Sequence, residues 1–439
     1  MLMKYFFMEG ELMKKILLCT FLSLIFVYAF SQTRSQTLNS SASINSSLSN
    51  LKTDTPAVEL RFKYSKGDLY RILSTVNEDV FVNRRYDHKA TIVNRVTCEV
   101  TDVEKDGSGV HDAVFMTSED STSMLSSNAL HYGEEYKSVF TRSPKGVYNI
   151  SDTYFMPTVR DVPSFPENKV KPGDTWKASG HEGHDLRKHF NIEKPFIVPF
   201  EADYKYLGVD PESNLHVINV RYTMKLVSPL SIDEFYLQNV PVTTIGYSDE
   251  YIFFDNEKGC IDHYSEVFRI LIQTTSGNLF EFSGTAHAEI TEFERSNTKD
   301  NLASVEKSIK DSGIENVSVK SSDKGLVISL ENIKFKADSS LLLDSEKQKL
   351  DMIGKILQKF PNNDILVTGH TALAGSKRER QKLSEERAEA VADYFVKEKV
   401  RDRYHIFTQG FGAAVPVASN DTEEGMAKNR RVEIIILDK

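Results

Sequence analysis

The stretch Gly369–Val391, GHTALAGSKRERQKLSEERAEAV, carries the pattern that decides the fold of the C-terminal part of this chain. The pattern is that of a strand ending in a glycine turn, followed by a loop and then by a helix. One helical face, at positions i, i+4, i+8 and i+11, carries Leu383, Arg387, Val391 and Tyr394. The spacing therefore predicts that Arg387 lies on the inward stripe of the helix.

An arginine on an inward stripe needs a partner. A buried guanidinium that is left without an acid costs about 3–5 kcal/mol. Its planar fork suits a carboxylate that is held by two hydrogen bonds. Arg387 therefore either pairs with an internal carboxylate or binds a carboxylate that belongs to a ligand.

The motifs around this helix resemble those of the OmpA-like peptidoglycan-binding domain, over about residues 324–439. The shared motifs, in order, are GHT at 369–371, LSEERAEAV at 383–391, GFG at 410–412 and NRRVEI at 429–434. The resemblance covers about a quarter of the chain and implies an α+β domain, with a mixed sheet and helices packed on it. It also implies that Arg387 binds a carboxylate of the peptidoglycan stem peptide, usually on diaminopimelate, while an aspartate just after GHT binds the ammonium of that residue.

The chain departs from the family at the ammonium site. Ala372 stands where the family has the aspartate, and Arg380 stands where the family usually has an asparagine. A methyl group can neither accept a hydrogen bond nor balance a cation. Either the domain binds a stem peptide of different chemistry, for instance one with another diamino acid such as ornithine, or it has kept the fold and lost cell-wall binding. We favour altered binding because Arg387 is retained.

The resemblance implies a set of peptidoglycan-binding residues around this loop and helix. They are Gly369, His370, Thr371, Ala372, Arg380, Leu383, Ser384, Arg387, Asn429 and Arg430. We expect His370 to shape the pocket loop and not to act as an acid or base. Asn429 and Arg430 either line the pocket, brace its loop, or simply form a charged entry to the last strand.

Other chemistry finds little support in the sequence. No GxSxG or P-loop is present, and no GxGxxG opens a helix after a strand, so we expect no enzyme and no cofactor. His181, Glu182, Gly183 and His184, with His189, lack the HExxH spacing; we interpret them as loop residues, with a metal site as the less favoured alternative. The formal charge of −9 argues against a nucleic acid partner.

The N-terminus has the order of a secretory signal peptide. Met13-Lys14-Lys15 precedes the apolar run Ile16–Phe30, and Ala29 and Ser31 supply small residues for cleavage before Gln32. Residues 1–31 are therefore predicted to direct export to the periplasm, where we expect association with the outer membrane; a retained membrane anchor is the alternative. Residues 32–55 are rich in Ser, Asn, Thr and Gln and read as a flexible leader.

Residues 56–296 are predicted to form an all-β domain. Apolar and polar residues alternate along 58–64, 218–226 and 280–290, and turn signals such as Lys105-Asp106-Gly107 separate the segments. This pattern favours an antiparallel curved sheet, a sandwich or an open barrel; a membrane-spanning barrel remains an alternative because its lumen can also carry charge. Cys98 and Cys260 could pair or stay separate thiols.

The chain thus reads as a multidomain protein. Residues 297–323, with a short helix near 301–312, are either a linker or the first elements of the C-terminal domain, which occupies 324–439. The function that we predict is a non-catalytic cell-envelope protein that holds peptidoglycan and contacts outer-membrane or other envelope proteins. The alternative is a scaffold whose β domain binds a lipid, a glycan or a protein.

Overall fold

The computed structural model describes residues 48, 50–121, 129–184, 194–227, 241–292, 295–331, 333–335 and 342–438. The chain divides into a central unit, residues 1–115 and 135–291, and a C-terminal unit, residues 116–134 and 292–439. The predicted signal peptide at 1–31 lies outside the described residues. In the part that is described, no helix combines the length and the apolar character needed to cross a membrane.

The strands and helices follow in chain order. The strands are β1 Leu69–Val82, β2 Arg85–Val103, β3 Gly109–Ser121, β4 Leu130–His131, β5 Glu135–Arg142, β6 Tyr148–Ile150, β7 Val159–Arg160, β8 Thr175–His184, β9 Phe196–Val209, β10 His216–Val227, β11 Pro241–Asp255, β12 Cys260–Thr274, β13 Leu279–Glu292, β14 Val317–Ser322, β15 Gly325–Glu331, β16 Ile365–Gly369, β17 Ile406–Gly410 and β18 Arg431–Leu437. The α-helices are α1 Lys299–Asp311, α2 Asp344–Leu357, α3 Lys377–Lys397 and α4 Glu423–Asn429.

The central unit is built on one curved antiparallel sheet, as the alternating pattern predicted. Among the described residues, the sheet has twelve strands in the order β6-β5-β3-β2-β1-β13-β12-β11-β10-β9-β8-β7. Along β10, Ile218, Val220 and Tyr222 face a core that also contains Phe254 and Phe282. The predicted all-β class is therefore confirmed, because period-two alternation places every second side chain on the buried face.

One segment that alternates is not a strand of this sheet. Residues 58–64 alternate in burial, but they belong to no strand, and their one β-bridge, between Val58 and Val170, is isolated. Their other backbone bonds include one from Phe62 N to the Pro144 carbonyl, at 2.7 Å. The prediction of a strand here is wrong because periodicity reports burial of every second residue and not a continuous strand partner.

The thiols of Cys98 and Cys260 are not joined to each other.

The C-terminal unit has a mixed sheet with helices packed on it, which confirms the predicted α+β class. The sheet order is β14-β15-β18-β16-β17-β4, with β16 and β17 parallel and the pairs that involve β18 antiparallel. Helix α1 begins after Thr298, whose side chain accepts a hydrogen bond from the Asn301 amide. Val305 and Ile309 of α1 are buried in the core of this unit, and β14 is an edge strand of its sheet.

The sixth strand of this sheet comes from the first half of the chain. β4 lies parallel to β17, with Leu130 opposite Phe407, and the Tyr132 amide donates to the Thr408 carbonyl at 2.8 Å. Leu130 is 1% exposed, and the Tyr132 ring meets the Phe407 ring edge-on. The place of residues 130–131 in this sheet could not be predicted from the sequence, because a two-residue strand leaves no periodic pattern.

Three glutamates lie on the core face of the central sheet: Glu182 and Glu250 are buried, and Glu266 is half-buried. Glu250 is directly opposite Glu266 across β11 and β12, and Ser248 Oγ donates to Glu266 Oε1 at 2.7 Å. Burial raises the pKa of all three carboxyls, and the charge of Glu266 raises the pKa of Glu182 and Glu250 further. The folded state therefore holds protons on carboxyls that ionise in the unfolded chain.

We expect the central unit to lose stability as the pH rises. The contribution of these carboxyls is complete below the unfolded pKa of about 4.3 and is lost as the pH rises through their raised native pKa values. Glu182→Gln should therefore raise the free energy of unfolding by on the order of 1–3 kcal/mol at pH 8 and change it little at pH 4. Urea unfolding followed by the fluorescence of Trp176, the only tryptophan, measures this. Glu201→Gln, at an exposed position, is the control. If Glu182→Gln has the same free energy of unfolding as the wild type at both pH values, the prediction is wrong.

Candidate functional site

Helix α3 packs on the sheet through a face of small residues. Its buried residues are Ser384, Ala388, Val391, Ala392 and Phe395. Arg387, Leu383 and Tyr394 lie beside this face and are half-buried. The predicted inward stripe is therefore rotated by about one residue, or about 100°. Arg387 lies at the edge of the packed face and not under it, because the helix approaches the sheet closely only where its side chains are small.

Two glycines at the ends of neighbouring strands allow this close approach. Gly369 and Gly410 are partners in the parallel β16–β17 pair. A Cβ on Gly369 would lie 1.9 Å from the Ser384 carbonyl oxygen, and one on Gly410 would lie 2.6 Å from Ser384 Oγ. Ser384 Oγ also donates to the Gln381 carbonyl at 2.7 Å and accepts from the Gly412 amide at 2.8 Å. Ser384 thus fastens α3 to the GFG turn.

The Arg387 guanidinium lies beside this junction without an acid among the described residues. Its Cζ lies 5.0 Å from the centre of the Phe335 ring, a cation–π contact. Burial lowers the pKa of Arg387, and the nearby charge of Arg430 lowers it further. Arg430 itself pairs with Glu423, at 2.6 Å between Nη2 and Oε1. The site therefore has a surplus of positive charge.

Several polar atoms of the predicted site are buried without a partner in the described part of the chain. They are His370 Nδ1, Thr371 Oγ1, Arg380 Nε and Arg387 Nε. Buried polar atoms are nearly always hydrogen-bonded in folded proteins, so each exception needs an explanation. The two arginine nitrogens can only donate. They can therefore donate hydrogen bonds to a ligand that carries acceptor atoms, such as a carboxylate.

The remaining residues predicted between the strand and the helix lie on the intervening loop or at the start of α3. The Thr371 amide donates to the Gly412 carbonyl at 2.8 Å, which joins the GHT loop to the GFG turn. Ala372 is 5% exposed, so its methyl group is buried. Arg380 Nη1 donates to the Gly375 carbonyl. Leu383 is half-buried, one residue before Ser384.

His370 is buried and fixed by its neighbours. Its ring stacks on Phe411 with 5.3 Å between ring centres, and its Nε2 lies 3.1 Å from Thr368 Oγ1. Burial, with a contribution from the charge of Arg431, lowers the pKa of His370 to about 4. The imidazole is therefore neutral at neutral pH. This geometry suits a residue that shapes the loop and does not suit proton transfer.

Asn429 braces the long loop between β17 and α4. Its Oδ1 accepts from the amides of Val417 and Ala418, at 2.8 and 3.0 Å, and its Nδ2 donates to Asn420 Oδ1 at 3.0 Å. Asn420 Oδ1 also accepts from the Leu373 amide at 2.9 Å. The buried Asn429 side chain is thus committed to holding two loops together. Asn420 and Phe335 could not be predicted from the sequence, since neither belongs to a motif with a recognisable spacing.

The histidine segment near residue 181 is a strand, so its interpretation as a loop is wrong. It belongs to β8, where a Cβ on Gly180 would lie 2.5 Å from the Phe200 ring. The glycines here mark close packing and not a turn. His181 Nδ1 lies 2.8 Å from Asp161 Oδ2. The His184 side chain and His189 lie outside the described residues.

The central unit carries a groove on the outer face of its sheet, with a volume of about 380 Å³. Arg269 and Glu281 form an ion pair in it, at 2.8 Å. The rest of the lining is partly apolar and partly polar, so the groove offers a mixed surface to a partner. The lining includes Arg84, Ile245, Leu271 and Leu279.

Comparison with known proteins identifies relatives of the C-terminal region. The family model described as the OmpA family matches residues 334–430. The probable lipoprotein YiaD of Escherichia coli K12 is 36% identical over 121 residues, which are 27% of this chain and 55% of that protein. The peptidoglycan-binding protein ArfA of Mycobacterium tuberculosis H37Rv is 39% identical over 104 residues, which are 24% of this chain and 32% of that protein.

Among solved structures, an outer membrane protein from Borrelia burgdorferi B31 is 40% identical, with 28% of this chain and 96% of that chain covered and a TM-score of 0.23. This chain spans about half of the length of YiaD and about a third of that of ArfA. The motifs that suggested the resemblance all fall inside or at the edge of the region that matches the family. Residues 334–430 of this chain therefore form a domain of the OmpA family.

Proposed function

We propose that this protein is a non-catalytic component of the cell envelope whose C-terminal unit binds the stem peptide of peptidoglycan noncovalently. Arg387 carries the proposal, because its buried Nε has no hydrogen-bond partner among the described residues. A carboxylate of the stem peptide would supply the missing acceptor and the opposite charge. One relative, ArfA, is named a peptidoglycan-binding protein.

The proposed site combines the loop and the helix start with Arg387. Gly369 and Ser384 set the distance between strand and helix, His370 and Asn429 fix the loops, and the remaining predicted residues line the pocket. Because Ala372 offers no acceptor, we propose that the specificity for the stem peptide is altered. Export to the periplasm and association with the outer membrane are part of the proposal, supported by the N-terminal pattern and by a relative named a lipoprotein.

We expect Arg387→Met to weaken binding to insoluble peptidoglycan sacculi without lowering stability. Removing one partner of a desolvated charge pair costs about 2–5 kcal/mol, which is about 30-fold or more in affinity. The folded protein should be at least as stable, because a guanidinium without an acid is removed from a partly buried position. Co-sedimentation of the purified protein with sacculi measures binding, and calorimetry measures stability.

Arg401→Met is the matched control. Arg401 donates to the Leu357 and Asn363 carbonyls, at 3.0 and 3.3 Å, so its loss should lower stability by about 1–3 kcal/mol. At temperatures where this variant stays folded, it should sediment with sacculi like the wild type. If Arg387→Met binds as tightly as Arg401→Met, Arg387 has no role in recognition.

A second candidate is a domain that has kept the fold and lost cell-wall binding. The buried methyl group of Ala372 favours it, because a methyl group cannot hold a cation. The central unit would then be the binding module for a lipid, a glycan or a protein, and its outer groove is the candidate surface. In the first proposal the same groove contacts another envelope component. Sedimentation with outer-membrane fragments but not with sacculi supports the second candidate.

A further inference from the structure

The site is bordered by exposed apolar side chains. In the described part of the C-terminal unit, the large apolar side chains that are exposed are Leu373, Val415 and Val417, at 59%, 45% and 49%. All three lie on the loops that follow the GHT and GFG motifs. Exposed apolar side chains that cluster on one surface mark a contact with something apolar.

These loops are held in place by hydrogen bonds. The amide of Leu373 and the side chain of Asn429 both donate to Asn420 Oδ1, and the amide of Val417 donates to Asn429 Oδ1. Arg431 Nη1 donates to the Val415 carbonyl at 3.2 Å. The apolar rim is therefore fixed before any ligand arrives, which lowers the entropy cost of binding.

The charges beside this rim are unbalanced. Arg380 and Arg387 are seven residues apart on α3, so they lie on the same side of the helix, about 10 Å apart along its axis. Three of the nearby acids have partners. Glu423 pairs with Arg430, and Asp421 accepts from Ser419 Oγ at 2.7 Å. Glu379 caps α3 through the Ser376 amide. The described residues thus offer donors for a carboxylate at Arg387, while the buried methyl group of Ala372 offers no acceptor for an ammonium.

We propose that the ligand of this site is a peptide carboxylate flanked by an uncharged, apolar group, and not one flanked by an ammonium. This inference rests on the proposed function and narrows its ligand class. The carboxylate lies against Arg387, and the apolar group lies against the rim of Leu373, Val415 and Val417. An ammonium there is disfavoured, because it would lose its water beside guanidinium groups, and the Ala372 methyl group cannot accept a hydrogen bond from it.

Two stem peptides that differ by one amine test the inference. One carries diaminopimelate at its third position; the other carries 2-aminopimelate, which has the same chain and both carboxylates but lacks the second amine. Calorimetric titration of the whole protein should show the 2-aminopimelate peptide binding at least about 10-fold more tightly, a difference of about 1.4 kcal/mol. Equal binding, or tighter binding of the diaminopimelate peptide, overturns the inference.

Two variants separate this inference from the proposal on which it rests. Arg387→Met should weaken both peptides; if it weakens neither, or if neither peptide binds the wild type, the proposed function and the inference both fail. Ala372→Asp adds an acid to the wall and should shift the preference towards the diaminopimelate peptide. Because this acid lies in a buried position and can harm folding, Leu373→Ser provides a second test. It should weaken only the 2-aminopimelate peptide, several-fold, and an unchanged affinity contradicts the apolar contact.

Discussion

Gly369→Ala is expected to destabilise the C-terminal unit by about 3 kcal/mol or more, which is the upper range for an overpacked core. The added Cβ would lie 1.9 Å from the carbonyl oxygen of Ser384 and 2.8 Å from its carbonyl carbon. Both are backbone atoms of α3, so neither can rotate away, and the helix itself has to move. Because Arg387 lies one turn further along the same helix, binding to sacculi should be lost as well.

Gly354→Ala is the control for this prediction. A Cβ on Gly354 would lie 2.9 Å from Val400 Cγ2, a methyl group that can rotate away. Alanine also gains up to about 1 kcal/mol of helix propensity over glycine within α2. The two effects should nearly cancel, and calorimetric unfolding of both variants measures the difference. Equal melting temperatures for the two variants would show that α3 does not rest on the strand end as described.

Leu130→Ala is expected to cost the C-terminal unit about 2–5 kcal/mol, although Leu130 precedes most of the central unit in sequence. The side chain is 1% exposed and belongs to a strand that covers the edge of β17. Its loss should raise the rate of amide hydrogen exchange in β17, residues 406–410. Hydrogen exchange followed by mass spectrometry of peptides from both units measures the effect and its location.

The neighbouring exposed residue provides the control. His131→Ala keeps the backbone pairing with Thr408 and removes a side chain that faces solvent, so exchange in β17 should stay at the wild-type rate. An increase in exchange that is confined to β1 or β2 of the central unit, after Leu130→Ala, would falsify the assignment of β4 to the C-terminal sheet.

Much of the fold could be predicted because its signals are local. The alternation along 218–226 and 280–290 marks β10 and β13, since each strand shows its buried face in its own residues. The turn signals contain glycines such as Gly107 and Gly259, which adopt positive φ angles of 87° and 74°. The motifs of the C-terminal domain have fixed spacing, so their order was enough to place Arg387 on a helix after a glycine turn.

The features that could not be predicted depend on contacts with segments that are distant in sequence. The spacing of Leu383, Arg387 and Tyr394 suggested an inward stripe. The side chains that pack against the sheet include Ala388 and Ala392, because small residues let the helix come closer. The buried glutamates of the central sheet look like ordinary polar residues until the opposite strand is known. Which residues of the candidate site contact a ligand stays a prediction.

The placement of β4 has a consequence for how the protein responds to proteolysis. Leu130 and Thr408 are 278 positions apart in sequence, yet they belong to the same sheet. A protease that cuts once near residue 293 would break the chain between the two units without freeing either piece. The shorter fragment should stay attached to the longer one through the β4–β17 pairing, and the nicked protein should migrate as a single species until a denaturant is added.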